Sequence, residues 1–262
     1  MPRFGSLLNL VGRVGEHFGI YKHLLSRQMT IVVFHRINDD LPEDGLTCSS
    51  GRFEDFCSFF QRNFRIVSLR EQIRGVAGAA GMGGTLSITF DDGYLDNFEV
   101  AGPILRRLKI PATFFVTTGF IGSSKVAPWD ACLPHPPEWM SWDHVRGLVA
   151  QGFDIGAHTV SHADLVATDD DQIRFELCES KRRLERELGI DVDLFADPFG
   201  RQSPIPKRLI DLVKEAGYSS CASCCGGTNR SGADPFSLNR IGVSDWFSSP
   251  YQFGAALMLG RC

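Results

Sequence analysis

The sequence lacks three features that would place it in other broad classes of protein. It has no uninterrupted apolar run of about 20 residues, the length that a membrane-spanning helix needs. It has no surplus of basic residues, with a formal net charge of −4 and a pI near 6.0, so we expect no nucleic-acid partner. It has no internal repeat or low-complexity tract, and its 43% hydrophobic residues are ample for a globular core.

The amino terminus also lacks the pattern of a secretory signal peptide. The segment that begins at Met1 is interrupted by charged residues such as Arg13, Glu16 and Lys22, where a signal peptide would have a continuous apolar region. We therefore expect a cytoplasmic protein, or one at the inner face of the membrane, with a substrate made inside the cell.

Residues 1–29 are predicted to form an N-terminal amphipathic helix that precedes a single domain over residues 30–262. Two interpretations of this helix stay open: it packs on the domain, or residues 7–25 contact a membrane surface through an apolar stripe beside basic residues. The stripe at helical spacing comprises Leu7, Leu10, Val11, Val14, Phe18, Tyr21 and Leu25, and the basic residues are Arg3, Arg13, Lys22 and Arg27.

The eight cysteines include one Cys-x-x-Cys spacing, from Cys221 to Cys224. No second pair lies at the distance of a zinc ribbon, so we expect reduced, buried thiols in preference to a structural zinc site. Two stretches that carry glycine, with alanine in one and proline and serine in the other, predict loops over residues 75–84 and 119–137. The second loop is long enough to cover a site, although it could equally be a peripheral excursion.

A strand pattern over Thr85 to Phe90 ends in two adjacent carboxylates, Asp91 and Asp92, and then Gly93. Neighbouring side chains on a strand normally point to opposite faces, but a glycine permits a bend that brings both carboxylates to one site. The alternative is an ordinary Asp-Gly turn.

A second strand pattern, Asp154 to Ala157, leads directly to His158 and then to His162. Histidines four residues apart can share one face of a helical turn and converge on a metal, and two histidines with one carboxylate leave positions open for water and substrate. The alternative is two unrelated loop histidines. Sites of α/β sheets lie at the carboxyl ends of strands, which favours a single shared site.

Thr89 to Gly93 reads Thr-Phe-Asp-Asp-Gly, and His158 to His162 reads His-Thr-Val-Ser-His. In these motifs the sequence resembles the polysaccharide deacetylases, also called the NodB-homology or carbohydrate esterase 4 family, and similarity extends over roughly residues 31–243. Alternating strands and helices predict an α/β protein with parallel strands, either a closed barrel or an open sheet. The resemblance implies a distorted (β/α)7 barrel of the NodB-homology type.

The resemblance also implies the chemistry of the site. Asp92, His158 and His162 would bind one divalent metal, most simply Zn²⁺, with Co²⁺, Ni²⁺ or Fe²⁺ as alternatives. Asp91 would act as the general base. Residue type and spacing alone do not say which of the two aspartates takes which role.

The sequence departs from the family pattern in its third motif, Ala196 to Gly200. This segment is similar to a Phe-Ala-x-Pro-Tyr-Gly form found in one branch, and it has no arginine to orient the base. We predict that Arg240 supplies this function, and that Pro198 and Phe199 bind or orient the substrate.

A second departure is that no histidine follows His162, whereas many members use a late histidine as the acid. His35 lies in a Phe-His-Arg-Ile segment that resembles the early Tyr-His of the same branch, and we predict that His35 is the acid. The alternative is a loop histidine that stabilises its own turn.

The resemblance implies a metal-dependent hydrolase that removes an N-acetyl group from an N-acetylated sugar, oligosaccharide or lipid-linked glycan. A deformylase or other amide hydrolase on a nucleotide- or lipid-linked sugar is an alternative, and so is a catalytically inactive glycan-binding homologue. A glycosidase is disfavoured, because its carboxylates flank the bond at a separation of about 5 Å or more.

Overall fold

A computed structural model describes residues 2–77, 83–200 and 204–260 of the chain, with twelve β-strands and nine α-helices in these ranges. The strands are β1 Gln28–Phe34, β2 Arg36–Ile37, β3 Thr47–Cys48, β4 Arg65–Ile66, β5 Thr85–Phe90, β6 Ala112–Val116, β7 Asp154–Ala157, β8 Leu194–Ala196, β9 Ser220–Ser223, β10 Asn229–Arg230, β11 Leu238–Asn239 and β12 Ile241–Gly242. The helices are α1 Pro2–His17, α2 Ile20–Leu24, α3 Ser50–Asn63, α4 Leu69–Ala77, α5 Gly102–Leu108, α6 Trp142–Ala150, α7 Asp170–Leu188, α8 Lys207–Glu215 and α9 Pro250–Met258. A π-helical turn at Asn97–Ala101 leads into α5, and a 3-10 turn spans Pro128–Asp130.

The main sheet curls into a nearly closed barrel. Strands β1, β5, β6, β7, β8 and β9 pair in parallel in this order. Strand β11 pairs with β9, and β12 pairs with β1, so the chain passes from the last strand to the first across Arg240 alone. The expected distorted barrel is confirmed, and the open sheet is excluded.

The barrel strands are buried on both faces, as parallel strands covered by helices should be. All six residues of β5 are buried, and its Phe90 ring stacks between Phe34 of β1 and Phe114 of β6, at 5.7 and 4.8 Å between centroids. The polar side chains of β5 bond to neighbouring backbone, as Thr89 Oγ1 does to the Val32 carbonyl at 2.8 Å. This packing fixes the carboxyl end of β5, where the two aspartates follow.

The N-terminal segment forms two helices, so the prediction of one continuous helix is wrong. Gly19, with a φ of +64°, separates α1 from α2, and the Tyr21 side chain of α2 is buried in the main core. The division of the chain at residue 29 stays a prediction. No helix in the described ranges is both long and apolar enough to cross a membrane.

Six cysteines in the described ranges are free thiols, namely Cys48, Cys57, Cys132, Cys178, Cys221 and Cys224. Cys48, Cys57 and Cys221 are buried as expected, whereas Cys132 and Cys178 are exposed, so the expectation of buried thiols is wrong for those two. The loop predicted for residues 75–84 includes residues 78–82, which lie outside the described ranges. Its first residues, 75–77, belong to helix α4, so the prediction is wrong for them.

Candidate active site

The two adjacent aspartates reach one site because the backbone turns sharply after β5. Asp92 has a φ of +74° and Gly93 a φ of +99°, so both adopt the left-handed region that favours glycine. Such a conformation at a non-glycine residue costs about 1–3 kcal/mol and persists only where the surroundings impose it. Here the Asp92 carbonyl accepts the Thr117 N–H at 3.1 Å, and the Gly93 carbonyl accepts the Met140 N–H at 3.0 Å.

The two histidines lie on a loop after β7, and no helical turn joins them. Thr159 and His162 both have left-handed backbones, with φ of +65° and +57°. Buried Glu176 of α7 holds this loop, because its carboxylate accepts the Val160 and Ser161 N–H groups at 2.7 and 3.0 Å. Glu176 is not identifiable from the sequence as a site residue, because its only signal there is an acid on the inward face of an amphipathic helix.

The structure brings Asp92, His158 and His162 together. Asp92 Oδ1 lies 3.6 Å from His158 Nε2 and 3.4 Å from His162 Nε2. One candidate ligand atom from each of the three residues lies within 4.8 Å of the others. The Nδ1 atom of His158 is 2.8 Å from the Ala196 carbonyl, which fixes the ring so that Nε2 faces Asp92.

The electrostatics of these residues fit a divalent cation. Asp92 Oδ1 is buried and has no hydrogen-bond partner in the described part of the chain, and burial together with Asp91 raises the pKa of Asp92 well above its usual value. Burial lowers the pKa of both histidines, that of His162 to about 3, so their imidazoles are neutral, the form that binds metal. A buried carboxylate without a compensating donor, beside two neutral imidazoles, is an arrangement that a bound cation stabilises.

Asp91 pairs with Arg240, which lies where the chain crosses from β11 to β12. Arg240 donates from Nη1 and Nη2 to the two carboxylate oxygens of Asp91, both at 2.7 Å, and both side chains are buried. Burial alone would raise the pKa of Asp91, but the guanidinium lowers it to about 2, so Asp91 is ionised. The residue predicted to orient Asp91 therefore contacts it directly.

We expect the substitution Arg240→Met to lower the free energy of unfolding by about 3–5 kcal/mol, because it leaves a buried carboxylate without its partner. Denaturant unfolding of the metal-free protein measures this loss. Adding Asp91→Asn to Arg240→Met removes the uncompensated charge and should recover part of the stability. A loss below about 1 kcal/mol, the value of an exposed ion pair, would contradict the role of Arg240 as the partner of a buried charge.

His35, which directly follows β1, lies in the electrostatic field of the same site. Its side chain is half-buried, and its Nδ1 is buried without a hydrogen-bond partner among the described residues. Burial lowers the pKa of His35 to about 4, against the opposing effect of Asp91. The turn is instead held by its backbone, because the His35 carbonyl accepts from Asn97 Nδ2 at 2.6 Å and Asp96 accepts the Ile37 N–H at 3.2 Å. Because backbone contacts already hold the turn, they disfavour the alternative in which the His35 imidazole only stabilises its own turn.

Two aromatic side chains flank His162. The rings of Trp129 and Phe199 lie 4.5 and 4.6 Å from the imidazole centroid, and Phe199 has a left-handed φ of +63° with 43% of the residue exposed. Pro198, directly before Phe199, is buried. Trp129 belongs to the loop over residues 119–137, and this loop reaches the site, which favours the covering interpretation.

Buried polar residues anchor Trp129. Its Nε1 donates to the Tyr94 hydroxyl at 2.8 Å, and that hydroxyl donates to Asp130 Oδ2 at 2.7 Å. Asp130 in turn forms an ion pair with Arg36, and Arg36, Tyr94 and Asp130 are each buried. This anchor is not predictable from the sequence, because its members lie on three separate segments with no shared spacing.

Comparisons with known proteins show which family and fold the chain shares. A profile of the family described as polysaccharide deacetylase matches residues 80–221. YxkH of Bacillus subtilis (strain 168), a candidate polysaccharide deacetylase, is 24% identical over 168 residues, covering 64% of this chain and 54% of that protein. The chitooligosaccharide deacetylase of Rhizobium leguminosarum bv. trifolii is 34% identical over 100 residues, covering 37% of this chain and 38% of that protein. The chain thus spans about half or less of the length of these two relatives.

Among solved structures, IcaB from Ammonifex degensii shares the fold with a TM-score of 0.74 and 23% identity. The alignment covers 90% of this chain and 98% of that one.

Proposed function

The chain belongs to the polysaccharide deacetylase family, and we propose that it is a metal-dependent hydrolase that removes the N-acetyl group from an N-acetylated sugar or glycan. The observation that carries the proposal is the convergence of Asp92, His158 and His162 beside the Asp91–Arg240 pair. The deacetylase name of the Rhizobium relative supports an acylated glycan as the substrate.

In this proposal, Asp92, His158 and His162 hold one divalent ion, most simply Zn²⁺, with Co²⁺, Ni²⁺ or Fe²⁺ as alternatives. When bound, such an ion polarises the acyl carbonyl and lowers the pKa of water. Asp91 accepts a proton from the attacking water, and Arg240 holds the Asp91 carboxylate in one orientation. Because Arg240 lowers the pKa of Asp91 to about 2, the carboxylate is ionised and able to accept a proton.

In the same proposal, the proton that Asp91 accepts from the water passes to His35. The water oxygen bonds to the acyl carbon, the carbon–nitrogen bond breaks, and the protonated imidazole of His35 gives its proton to the leaving amine. Because burial lowers the pKa of His35 to about 4, its imidazole is neutral at rest and its protonated form is a strong acid. The second proton of the water leaves as the acetic acid ionises and is taken up by the amine, so that acetate and an ammonium group are the products.

Phe199 and Trp129 are proposed to form the walls that receive the substrate. Both rings contact the imidazole of His162. The Phe199 ring is also exposed, so it offers an apolar surface next to the proposed metal ligands. Buried Pro198 restricts the backbone that presents this ring. The location of the protein, in the cytoplasm or at the inner face of a membrane, stays a prediction.

We expect His35→Gln to lower hydrolysis of amide substrates by about a hundredfold while the metal content stays unchanged, since an amide nitrogen must be protonated before it leaves. Activated esters, whose leaving groups need no proton, should lose much less. Steady-state kinetics on both substrate types, with metal content checked, measure the difference. Equal losses on amides and esters, or no loss on amides, would rule out the acid role.

The proposed function is tested by measuring acetate and formate released from a panel of acylated sugars. We expect acetate from N-acetylglucosamine oligomers. Formate release from N-formyl sugars, with no acetate, would replace the deacetylase by a deformylase. Binding of the oligomers without any release, by the metal-loaded protein, would identify an inactive glycan-binding homologue.

A further inference from the structure

Helix α1 carries its apolar stripe on the outside of the protein. Leu7, Leu10 and Val14 recur at helical spacing, and Phe18 continues the stripe just after the helix ends. These residues are 56%, 58%, 43% and 72% exposed, and Leu24 of α2 is 50% exposed. We refer to these five residues as the N-terminal apolar strip. Large exposed apolar side chains grouped in this way usually mark an interaction surface.

Helix α1 packs against α9 through glycines that lie on another side of the helix from the strip. A Cβ atom on Gly12 would lie 2.0 Å from the Tyr251 carbonyl oxygen of α9, and one on Gly15 would lie 2.8 Å from Met258 Cε. Tyr21 adds a hydrogen bond of 2.7 Å from its hydroxyl to the Gly12 carbonyl. Gly12, Gly15 and Tyr21 thus supply close contacts of the N-terminal helices, while 43–72% of each strip residue stays exposed.

The charge around the strip is basic. Residues 1–28 contain four of the 27 lysines and arginines of the chain but only one of its 31 acidic residues, Glu16. That carboxylate is already occupied, since it accepts from Arg62 Nε at 2.9 Å and Asn63 Nδ2 at 2.8 Å. Arg13, Lys22 and Arg27 are exposed, and neither α2 nor α9 contains an acidic residue.

We infer that the N-terminal apolar strip binds the face of an anionic lipid bilayer. A helix with an apolar stripe beside basic residues inserts its apolar side chains among the lipid headgroups, while the cations attract anionic lipid. The carbonyl of Leu25, just after α2, accepts from the Gly84 N–H before β5 begins, at the amino end of the barrel strands. The proposed metal ligands lie at the carboxyl ends, so membrane contact leaves the candidate active site uncovered.

Co-flotation with vesicles tests this surface. The full chain should float with phosphatidylcholine vesicles that contain about 30% phosphatidylglycerol, and less with phosphatidylcholine alone. The double substitution Leu10→Ser with Phe18→Ser should lower the partition constant for anionic vesicles at least about tenfold. Transfer of each of these side chains from water into the bilayer raises that constant by more than about tenfold. Phe175→Ser is the matched control, since Phe175 of α7 is 52% exposed and lies outside the strip.

Flotation that the strip variant loses and the Phe175 variant keeps supports the inference, with circular dichroism confirming that both are folded. The inference is overturned if the full chain never floats, or if both variants reduce its flotation equally. Self-association in sedimentation equilibrium that the strip variant abolishes, without any lipid binding, would instead assign the strip to a second copy of the chain. None of these measurements uses catalytic activity, so their outcome is independent of the proposed function.

Discussion

Asp91→Asn is expected to lower kcat on an N-acetylated oligosaccharide by about 10²–10⁴-fold while the protein keeps its metal, because it removes the base and leaves the three proposed ligands in place. The amide is close in shape to the carboxylate and can accept one of the two hydrogen bonds from Arg240, which are 2.7 Å long in the native protein. Acetate release and metal content, measured on the same preparation, give the result.

The neighbouring substitution Asp92→Asn is the matched control for Asp91→Asn. Asp92 Oδ1 lies closest to the two histidines, so Asp92→Asn should lose metal and activity together. If Asp91→Asn lost the metal while Asp92→Asn kept it, the two proposed roles would have to be exchanged. Unfolding curves of both variants exclude a loss that comes from instability.

His158→Ala is expected to abolish both metal binding and activity. The imidazole is buried, its ring is fixed by the Ala196 carbonyl, and its Nε2 faces Asp92. Removing one of three protein ligands leaves too few donors for a stable site. Metal content by elemental mass spectrometry, after dialysis against metal-free buffer, measures the loss.

His23→Ala serves as the control for His158→Ala, since His23 is an exposed histidine of α2. It should retain full metal and full activity. His162→Ala should behave as His158→Ala does. Full metal occupancy in the His158→Ala protein would contradict the proposed ligand set.

Those strands of the barrel that have a recognisable local hydrophobic pattern could be predicted from the sequence. Strand β7, Asp154–Ala157, has the bounds that its pattern predicts. The crossing from β11 to β12 could not be predicted, because two strands of two residues each carry no period. Closure of the barrel depends on pairing between the first and last strands, which is a non-local property.

The residues of the candidate site were easier to predict than their conformations. The motifs identified Asp91, Asp92, His158 and His162, which the structure brings together. The left-handed backbone of Asp92 and His162 could not be predicted, because local propensity opposes it and tertiary contacts impose it. Glu176, which holds the histidine loop, acts across 15 residues of chain and left no motif.

In the N-terminal segment the helix is predictable but its packed face is not. The spacing of Leu7, Leu10 and Val14 predicts the helix that the structure shows, but spacing alone does not say which face packs. The packed face instead contains Gly12 and Gly15, whose small size allows α9 to approach closely. A helix can therefore present its apolar side chains to the outside when glycines supply the contact.

We propose that one divalent ion, held by Asp92, His158 and His162, makes this chain a deacetylase. The most direct test is to titrate Zn²⁺ into the metal-stripped protein and to measure acetate released from an N-acetylglucosamine oligomer at each step. We predict no release from the stripped protein, a linear rise with added metal, and a plateau at about one ion per chain. Full activity of the stripped protein, or no acetate at any metal content, would contradict the claim.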